Sequence, residues 1–181
     1  CAPAHSFIVQ TMIITVTAQN GGPATLNAND GEFPAAIGPA GITKDKHEGD
    51  GATPAGRFPF RAVYFRPDRL ASPVTALPVY AIQTNDGWCD APEDPLYNRA
   101  VKLPHPSSAE AFWRDDGVYD LLVVLGHNDG PVVPGAGSAV FLHIARADFA
   151  PTQGCVAVTR EVLLGLIECL DGESVIEINA T

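Results

Sequence analysis

The chain has few cationic side chains. Of its 181 residues only 11 are Lys or Arg, against 21 Asp or Glu, which gives a formal net charge of −10 and a sequence pI of about 4.7. Nucleic acids and anionic membrane surfaces are bound through clusters of Lys and Arg. The charge balance therefore predicts no nucleic-acid partner, and an acidic polymer would have to be held by a local pocket.

Cysteine is also scarce, and long apolar runs are missing. The four cysteines include no C-x-x-C pair and are too few for a disulfide framework. Without an H-x-x-x-H motif or a Cys/His cluster along the chain, we predict no metal site and no cofactor. No run of about 18 apolar residues occurs, so no transmembrane segment is predicted, and no signal peptide is visible.

The remaining composition is that of a folded globular protein, with 46% hydrophobic and 18% charged residues. The length suits a single domain with an adequate core. Met12 is the only methionine, and a β-type run begins there. We therefore expect residues 1–11 to be an N-terminal extension or a processed remnant, and residues 12–181 to form the domain.

The pattern of apolar residues favours strands over helices. Between residues 12 and 65, short β-type runs alternate with Gly, Pro and Asn clusters, which predicts an antiparallel sheet. Residues 159–170 have a helical apolar face, and Ser107 and Glu110 have the capping-box spacing of a short helix within 107–116. The predicted fold is mainly β, a single-domain curved sheet or β-sandwich with two short helices.

The candidate chemistry lies in residues 141–159, where His143 precedes Cys155 by twelve positions. A thiol is a good nucleophile only as the thiolate, and a free cysteine has a pKa of roughly 8.5, so a neighbouring base is needed. Histidine is the usual partner. Two neighbouring strands joined by a loop would bring His143 within reach of Cys155, and the amides near Gly154 and Cys155 are candidates for an oxyanion hole.

Other interpretations of these and neighbouring residues remain open. A free cysteine is often inert packing, and Cys169, on the apolar face of the predicted helix, is expected to be core. His127 ends a buried strand and is a rival base or a substrate contact. The loop over residues 87–98 is rich in Pro, Asp and aromatics, so its side chains either wall a substrate groove or fix the loop to the core. The side chains concerned are Trp88, Tyr97 and Asn98.

The motif T-Q-G-C-V-A, after a strand ending in F-L-H, resembles the active-site signature of the L,D-transpeptidase catalytic domain, or YkuD, family. An upstream T-P-x-G-x-F element is matched at Thr53 to Phe58, and the resemblance covers residues 38 to 178. The chain departs from the family pattern in a shorter spacer between histidine and cysteine, in Ile144 where many members have Gly, and in Ala157 where Arg is frequent.

The resemblance implies an enzyme of the bacterial periplasm or cell envelope that acts in cell-wall biogenesis and cell shape. Cys155 would form a thioester with peptidoglycan stem peptides, His143 would be the base, and Thr152 and Gln153 would line the cleft. Carbapenem-type inhibitors would acylate the same cysteine. The alternatives are a hydrolase of the same family, either an L,D-carboxypeptidase or an endopeptidase or amidase on stem peptides, and a non-catalytic wall-binding module with a relic cysteine.

Overall fold

The structure, a computed structural model, describes residues 11–18, 23–29 and 31–180. The expected N-terminal extension, residues 1–11, therefore lies outside the described residues except for Thr11. Within the described ranges, no helix is long and apolar enough to cross a membrane.

Strands dominate the described part of the chain, as the sequence predicted. The strands are, in chain order, β1 Ile13–Ala18, β2 Ala24–Ala28, β3 Gly31–Ala35, β4 Ile42–Thr43, β5 Thr53–Pro54, β6 Gly56–Phe65, β7 Val79–Ala81, β8 Asp86–Cys89, β9 Ala100–Lys102, β10 Ala109–Ala111, β11 Leu121–Leu125, β12 Phe141–Ile144, β13 Val156–Val158 and β14 Val175–Asn179. The helix α1 spans Arg160–Cys169.

Nine strands form one curved sheet in the order β13-β12-β11-β6-β14-β1-β2-β3, with β7 added beside β6. The antiparallel pairing of β1, β2 and β3 agrees with the turn clusters between them. The sheet as a whole is mixed, because β1 pairs parallel with β14 and β12 pairs parallel with β13. Its two edges meet where Ala36 and Ala157 exchange backbone hydrogen bonds of 2.8 and 2.9 Å.

The central strands β11 and β12 are buried along their whole length, because both faces of the sheet are covered. Alternate residues of these strands enter two different apolar clusters. Leu121 and Val123 join the main core, which includes the buried side of α1. Leu122 joins a second cluster on the other face, together with Phe141 and Cys155. The candidate nucleophile thus lies on the face that carries the second cluster.

Helix α1 confirms the helix that the apolar pattern of residues 159–170 predicts. Thr159 caps it, accepting a hydrogen bond from the amide of Val162 at 3.4 Å. The expected apolar face is buried, namely Leu163, Leu166, Ile167 and Leu170. The expectation that Cys169 is core is wrong, because its side chain is exposed. Cys169 follows Ile167 by two residues, about 200° around the helix, and so leaves the buried face.

The prediction of a second helix within residues 107–116 is also wrong. Residues Ala109–Ala111 instead form β10, which pairs antiparallel with β8. The Ser107 hydroxyl is hydrogen-bonded to Asp94, and the Glu110 carboxylate accepts a 2.7 Å hydrogen bond from Tyr119. Both predicted capping groups therefore have tertiary partners. Strands β10, β8 and β9, in that order, form a second sheet, here called the small sheet.

Candidate active site

His143 and Cys155 lie on neighbouring parallel strands. His143 is in β12, Cys155 directly precedes β13, and the register pairs Leu142 with Val156 and His143 with Ala157. Because side chains alternate between the faces of a sheet, His143 and Cys155 share one face, one diagonal step apart. The loop between them is a crossover, and it brings the two side chains into the wall of the same cavity.

This cavity has a volume of about 180 Å³ and a mainly polar wall. It carries three carboxylates, two guanidinium groups, several hydroxyls and an amide beside the His/Cys pair. The lining side chains of these kinds are Glu48, Asp90, Glu110, Arg114, Arg146, Tyr119, Ser138, Thr152 and Gln153. Thr152 and Gln153 were expected to line the cleft, and the structure places both at this cavity.

The Cys155 thiol is buried and hydrogen-bonded to the backbone of the strand beside it. Its Sγ accepts from the Phe141 amide at 3.3 Å and donates to the Ala139 carbonyl at 3.2 Å. Burial, assisted by the negative charge of Glu110, raises the pKa of Cys155 to about 12, although hydrogen bonding with Phe141 and Tyr119 opposes the rise. At neutral pH the side chain is therefore a protonated thiol.

The His143 ring is also buried, with a relative exposure of 6%. Its Nδ1 lies 2.9 Å from the Ile144 carbonyl, which can only accept, so Nδ1 carries the hydrogen and Nε2 is the basic nitrogen. Burial lowers the pKa of His143 to about 4. The ring is not hydrogen-bonded to Cys155 in this structure, so the pair consists of a neutral imidazole and a neutral thiol.

A network of three side chains borders the thiol. Tyr119 donates to Glu110 at 2.7 Å, and its ring packs edge-on against His143 at a centroid distance of 5.2 Å. Arg114 approaches Glu110 at 3.8 Å and lies over the Tyr119 ring. Burial raises the pKa of both Glu110 and Tyr119. Tyr119 thus contacts the imidazole directly, while Glu110 sets part of the electrostatic potential at the sulfur.

Glu110→Gln is expected to make Cys155 easier to ionise. The Glu110 charge is the largest cause, after burial, that keeps the thiol protonated, so its removal lowers the pKa of Cys155. The rate of Cys155 alkylation by iodoacetamide at a fixed alkaline pH should rise roughly threefold to tenfold, the size expected for one nearby charge. The fully exposed Asp115 supplies the control Asp115→Asn, which should leave the rate unchanged. An unchanged or slower rate in Glu110→Gln would contradict this.

Two threonine hydroxyls hold the backbone of the candidate nucleophile. The Cys155 carbonyl accepts from Thr152 at 2.7 Å and from the fully buried Thr53 at 3.4 Å. Thr53 belongs to the upstream T-P-x-G-x-F element, so both matched motifs meet at one peptide unit. The Gly154 amide, expected to serve an oxyanion hole, donates to the Thr152 hydroxyl at 3.1 Å in this structure.

Gly154 occupies a backbone position that only glycine fits. Its φ is +129°, and a Cβ built there would lie 2.8 Å from the Ala52 carbonyl oxygen. The residue before Cys155 can therefore pack closely against the chain that leads into β5. This close packing explains why position 154 requires a glycine, independently of any role in catalysis.

Gly154→Ala is expected to lower the free energy of unfolding by about 1–3 kcal/mol, from the strained φ and the carbonyl contact. Gly165→Ala is the matched control, because Gly165 lies in α1 with no atom within 4 Å of an added Cβ. That variant should gain about 0.5–1 kcal/mol from helix propensity. Urea unfolding measures both, and equal effects of the two substitutions would refute the role assigned to Gly154.

Three side chains were candidates for the wall of a substrate groove, namely Trp88, Tyr97 and Asn98. In the structure they contact the loops around the cavity. Trp88 packs edge-on against Phe141 at 5.4 Å and donates to the Asn98 side chain at 2.9 Å. Asn98 donates in turn to the carbonyls of His127 and Asn128 and accepts from the Ala139 amide. None of these residues is among the side chains that line the cavity.

Tyr97 and His127 also form hydrogen bonds to neighbouring loops. The buried Tyr97 donates its hydroxyl to Glu48, which does line the cavity. His127 lies with Nε2 2.9 Å from the Ala136 carbonyl, and burial lowers its pKa. Its ring is therefore engaged by the following loop, and it is His143 that faces the cavity with Cys155.

Sequence reasoning missed several residues that shape the cavity. Glu48 lies in the charged segment 44–51, whose composition indicates a solvent-exposed turn. Glu110 is predicted to cap a helix, and Tyr119 lies just before β11 with no motif around it. Arg114 falls within the segment 107–116 that is predicted as a helix, and Arg146 lies in a loop without a motif. Only tertiary structure brings these side chains together, so no local pattern identifies them.

Among curated proteins, no significant match was found. Among solved structures, the crystal structure of Mycobacterium tuberculosis L,D-transpeptidase 1 is similar, at 12% sequence identity and a TM-score of 0.41. The alignment covers 93% of this chain and 61% of that one, so this chain spans under two thirds of the length of the matched protein.

A family model described as YkuD, the L,D-transpeptidase catalytic domain, matches residues 13–178, which is nearly the entire chain. The matched range contains His143, Cys155, both threonines that hold the Cys155 carbonyl, and the closed edge of the curved sheet. The resemblance seen in the two sequence motifs is thereby confirmed. The chain belongs to the YkuD family of L,D-transpeptidase catalytic domains.

Proposed function

We propose that the protein is a cysteine-dependent L,D-transpeptidase that acts on peptidoglycan stem peptides in the cell envelope. The observation that carries the proposal is the placement of His143 and Cys155 on one face of two parallel strands, in the wall of a single cavity. Family membership supports the reaction type, and the cavity residues support the individual roles.

The first half-reaction acylates Cys155. The sulfur attacks the carbonyl carbon of the third, diamino-acid residue of a donor stem while the S–H proton passes to Nε2 of His143. The tetrahedral intermediate then collapses, the C–N bond to the terminal D-amino acid breaks, and the imidazolium protonates the leaving amine. A thioester remains on Cys155, and His143 is again neutral.

The second half-reaction transfers the acyl group. An amine of a second stem attacks the thioester carbonyl, and His143 accepts the proton that this amine loses. The C–S bond breaks, the thiolate takes the proton back from His143, and the product is a cross-linked pair of stems. If water replaces the amine, the same steps give hydrolysis, so the two activities differ only in the acceptor.

The neutral resting pair supports general-base catalysis during attack. With a thiol pKa of about 12 and an imidazole pKa of about 4, a preformed thiolate–imidazolium pair is strongly disfavoured. Charge must therefore separate during the attack itself, where fixed dipoles are most effective. The Phe141 amide, which donates to the sulfur, can stabilise that charge.

The charges of the cavity wall fit a zwitterionic peptide end. The diamino-acid residue carries a free side-chain ammonium group and the terminal D-amino acid carries a free carboxylate, and the wall carries both Asp/Glu and Arg side chains. Arg114 and Arg146 both contact Asp116, which holds the two guanidinium groups near one another. A local site of this kind can bind an acidic polymer despite the net charge of −10.

The experiment is product analysis by mass after incubation with purified tetrapeptide stems. The expected products are the free terminal D-amino acid and a dimer with the mass of two stems less that amino acid. Release of the amino acid without a dimer would support the hydrolase alternative. Unchanged stems, or equal turnover by Cys155→Ala, would overturn the proposal.

A further inference from the structure

Three side chains of metal-ligand type converge beside the small sheet, outside the active-site cavity. The ligand atoms of Cys89, Asp94 and His105 all lie within 4.8 Å of one another. We propose that these three residues form a Zn²⁺ site that ties the small sheet together. The inference is independent of the proposed function, because none of the three residues lines the cavity that holds Cys155.

The spacing of the ligand atoms is close to that of a zinc centre. Zn²⁺ holds N and O ligands at about 2.0–2.2 Å and S at about 2.3 Å, so tetrahedral ligand atoms are roughly 3.3–3.8 Å apart. Nε2 of His105 and Oδ2 of Asp94 are separated by 3.1 Å. Sγ of Cys89 lies within 4.8 Å of the ligand atoms of His105 and Asp94. A shift of the side chains by about an ångström would therefore bring all three ligand atoms to the spacing of a zinc centre.

The donor set and its charge select the metal. A thiolate, an imidazole and a carboxylate are the ligands of zinc, whereas Ca²⁺ and Mg²⁺ require oxygen ligands in larger number. Binding displaces the Cys89 thiol proton to solvent and forms a sulfur–metal bond. Two anionic ligands then neutralise Zn²⁺, which suits a site where Cys89 is fully buried and the side chains of His105 and Asp94 are only 12% and 10% exposed.

The surroundings orient the ligands. Asp94 accepts hydrogen bonds from the Leu96 amide, at 2.8 Å on its other carboxylate oxygen, and from the Ser107 hydroxyl, and its Oδ2 faces His105. The backbone of Cys89 is hydrogen-bonded on both sides, to the Arg99 carbonyl and from the Asn98 amide, each at 2.9 Å. Outer contacts of this kind fix ligand orientation in metal sites.

A route for the metal is available. His105 and Leu96 also line a separate cavity of about 520 Å³, which residues of β6, β7, β8 and β9 line as well. The site is thus buried by its ligands, yet it borders an opening through which an ion can enter. The spacing of the ligands along the chain matches no zinc motif, and this explains why the sequence predicted no metal site.

Zinc at this position would stabilise one wall of the active-site cavity. Cys89 ends β8 and is followed by Asp90, whose side chain lines that cavity. His105 follows β9, and Asp94 lies in the loop between these two strands. A metal bound to all three would hold β8, its loop and β9 in one arrangement.

The test is titration of untagged, chelator-treated, full-length protein with Zn²⁺, and with Co²⁺ as a spectroscopic probe. The expected result is one metal per chain, a thiolate-to-cobalt charge-transfer absorption, and a Tm that rises with Zn²⁺. Cys89→Ser and His105→Gln should each weaken binding by at least about 100-fold. Asp94→Asn, nearly isosteric, should weaken it as well and guards against misfolding of the other two variants.

The control variants are Cys1→Ser, Cys155→Ala and Cys169→Ala, which remove the other thiols and should retain both the stoichiometry and the cobalt absorption. Loss of binding in Cys155→Ala would place the metal on the active-site thiol and overturn the inference. Sub-stoichiometric binding by the parent protein, or binding unchanged in Cys89→Ser and His105→Gln, would overturn it equally.

Discussion

Cys155→Ser is expected to lower turnover of stem peptides by a factor on the order of 10³ or more, as removal of a nucleophile from a coupled catalytic unit does. The hydroxyl has a far higher pKa than the thiol, and the thiol already has a pKa of about 12 in this site. A neutral imidazole with a pKa of about 4 is too weak a base to ionise a serine there. Release of the terminal D-amino acid, followed by mass, measures the effect.

The fold should survive this substitution. A serine hydroxyl can accept from the Phe141 amide and donate to the Ala139 carbonyl as the thiol does. The free energy of unfolding in urea should therefore change by no more than about 1 kcal/mol. Cys169→Ser, at an exposed site, is the matched control and should keep full activity. Substantial turnover by Cys155→Ser would refute the assignment of the nucleophile.

His143→Gln should lower the acylation rate by about 10² to 10⁴, the usual contribution of a general acid–base. The amide of Gln can still donate to the Ile144 carbonyl, so the substitution removes the base with little change in packing. His127→Ala is the matched control. Because the His127 ring is hydrogen-bonded to the Ala136 carbonyl, the loss of this ring should act mainly on apparent substrate affinity. A larger loss of acylation rate in His127→Ala would reverse the two roles.

The pH dependence gives a second test of His143. The neutral imidazole is the active form, and it is lost as the pH falls through the pKa of about 4. The acylation rate should therefore have its acidic inflection near pH 4, and not near 6.5, where an unperturbed histidine titrates. Single-turnover acylation between pH 3.5 and 8 measures it, and an inflection near pH 6.5 in the parent protein would contradict the neutral resting pair.

Local patterns predicted most of the strands and α1, and they singled out His143 and Cys155 as candidates, because these predictions depend on short-range information. Alternation and turn residues identified the strands, the apolar face of residues 159–170 identified α1, and the T-Q-G-C motif singled out Cys155. The parallel pairing of β12 with β13 was beyond these signals. It depends on a crossover loop whose path is set by tertiary packing, and the same packing puts His143 and Cys155 on one face.

The wrong helix at residues 107–116 and the missed ligand group have one physical cause. Ser107 and Glu110 have capping-box spacing, but their side chains bond Asp94 and Tyr119 instead, because those partners come close only after the chain folds. The Cys89, Asp94 and His105 group likewise forms only when β8 and β9 pair. Side-chain hydrogen bonds between distant segments override local propensity, and sequence spacing does not reveal them.

The most direct test of the account is the mass of the acyl-enzyme. Protein mixed with a tetrapeptide stem and quenched in acid should gain the mass of the stem less the mass of the released D-amino acid. A carbapenem should add its full mass to the same residue. Trypsin separates the thiols, since Cys155 lies in the peptide 147–160 and Cys169 in the peptide 161–181. The account predicts both adducts on peptide 147–160 and none in Cys155→Ala. Stem turnover without a covalent adduct, or an adduct on any other peptide, would contradict it.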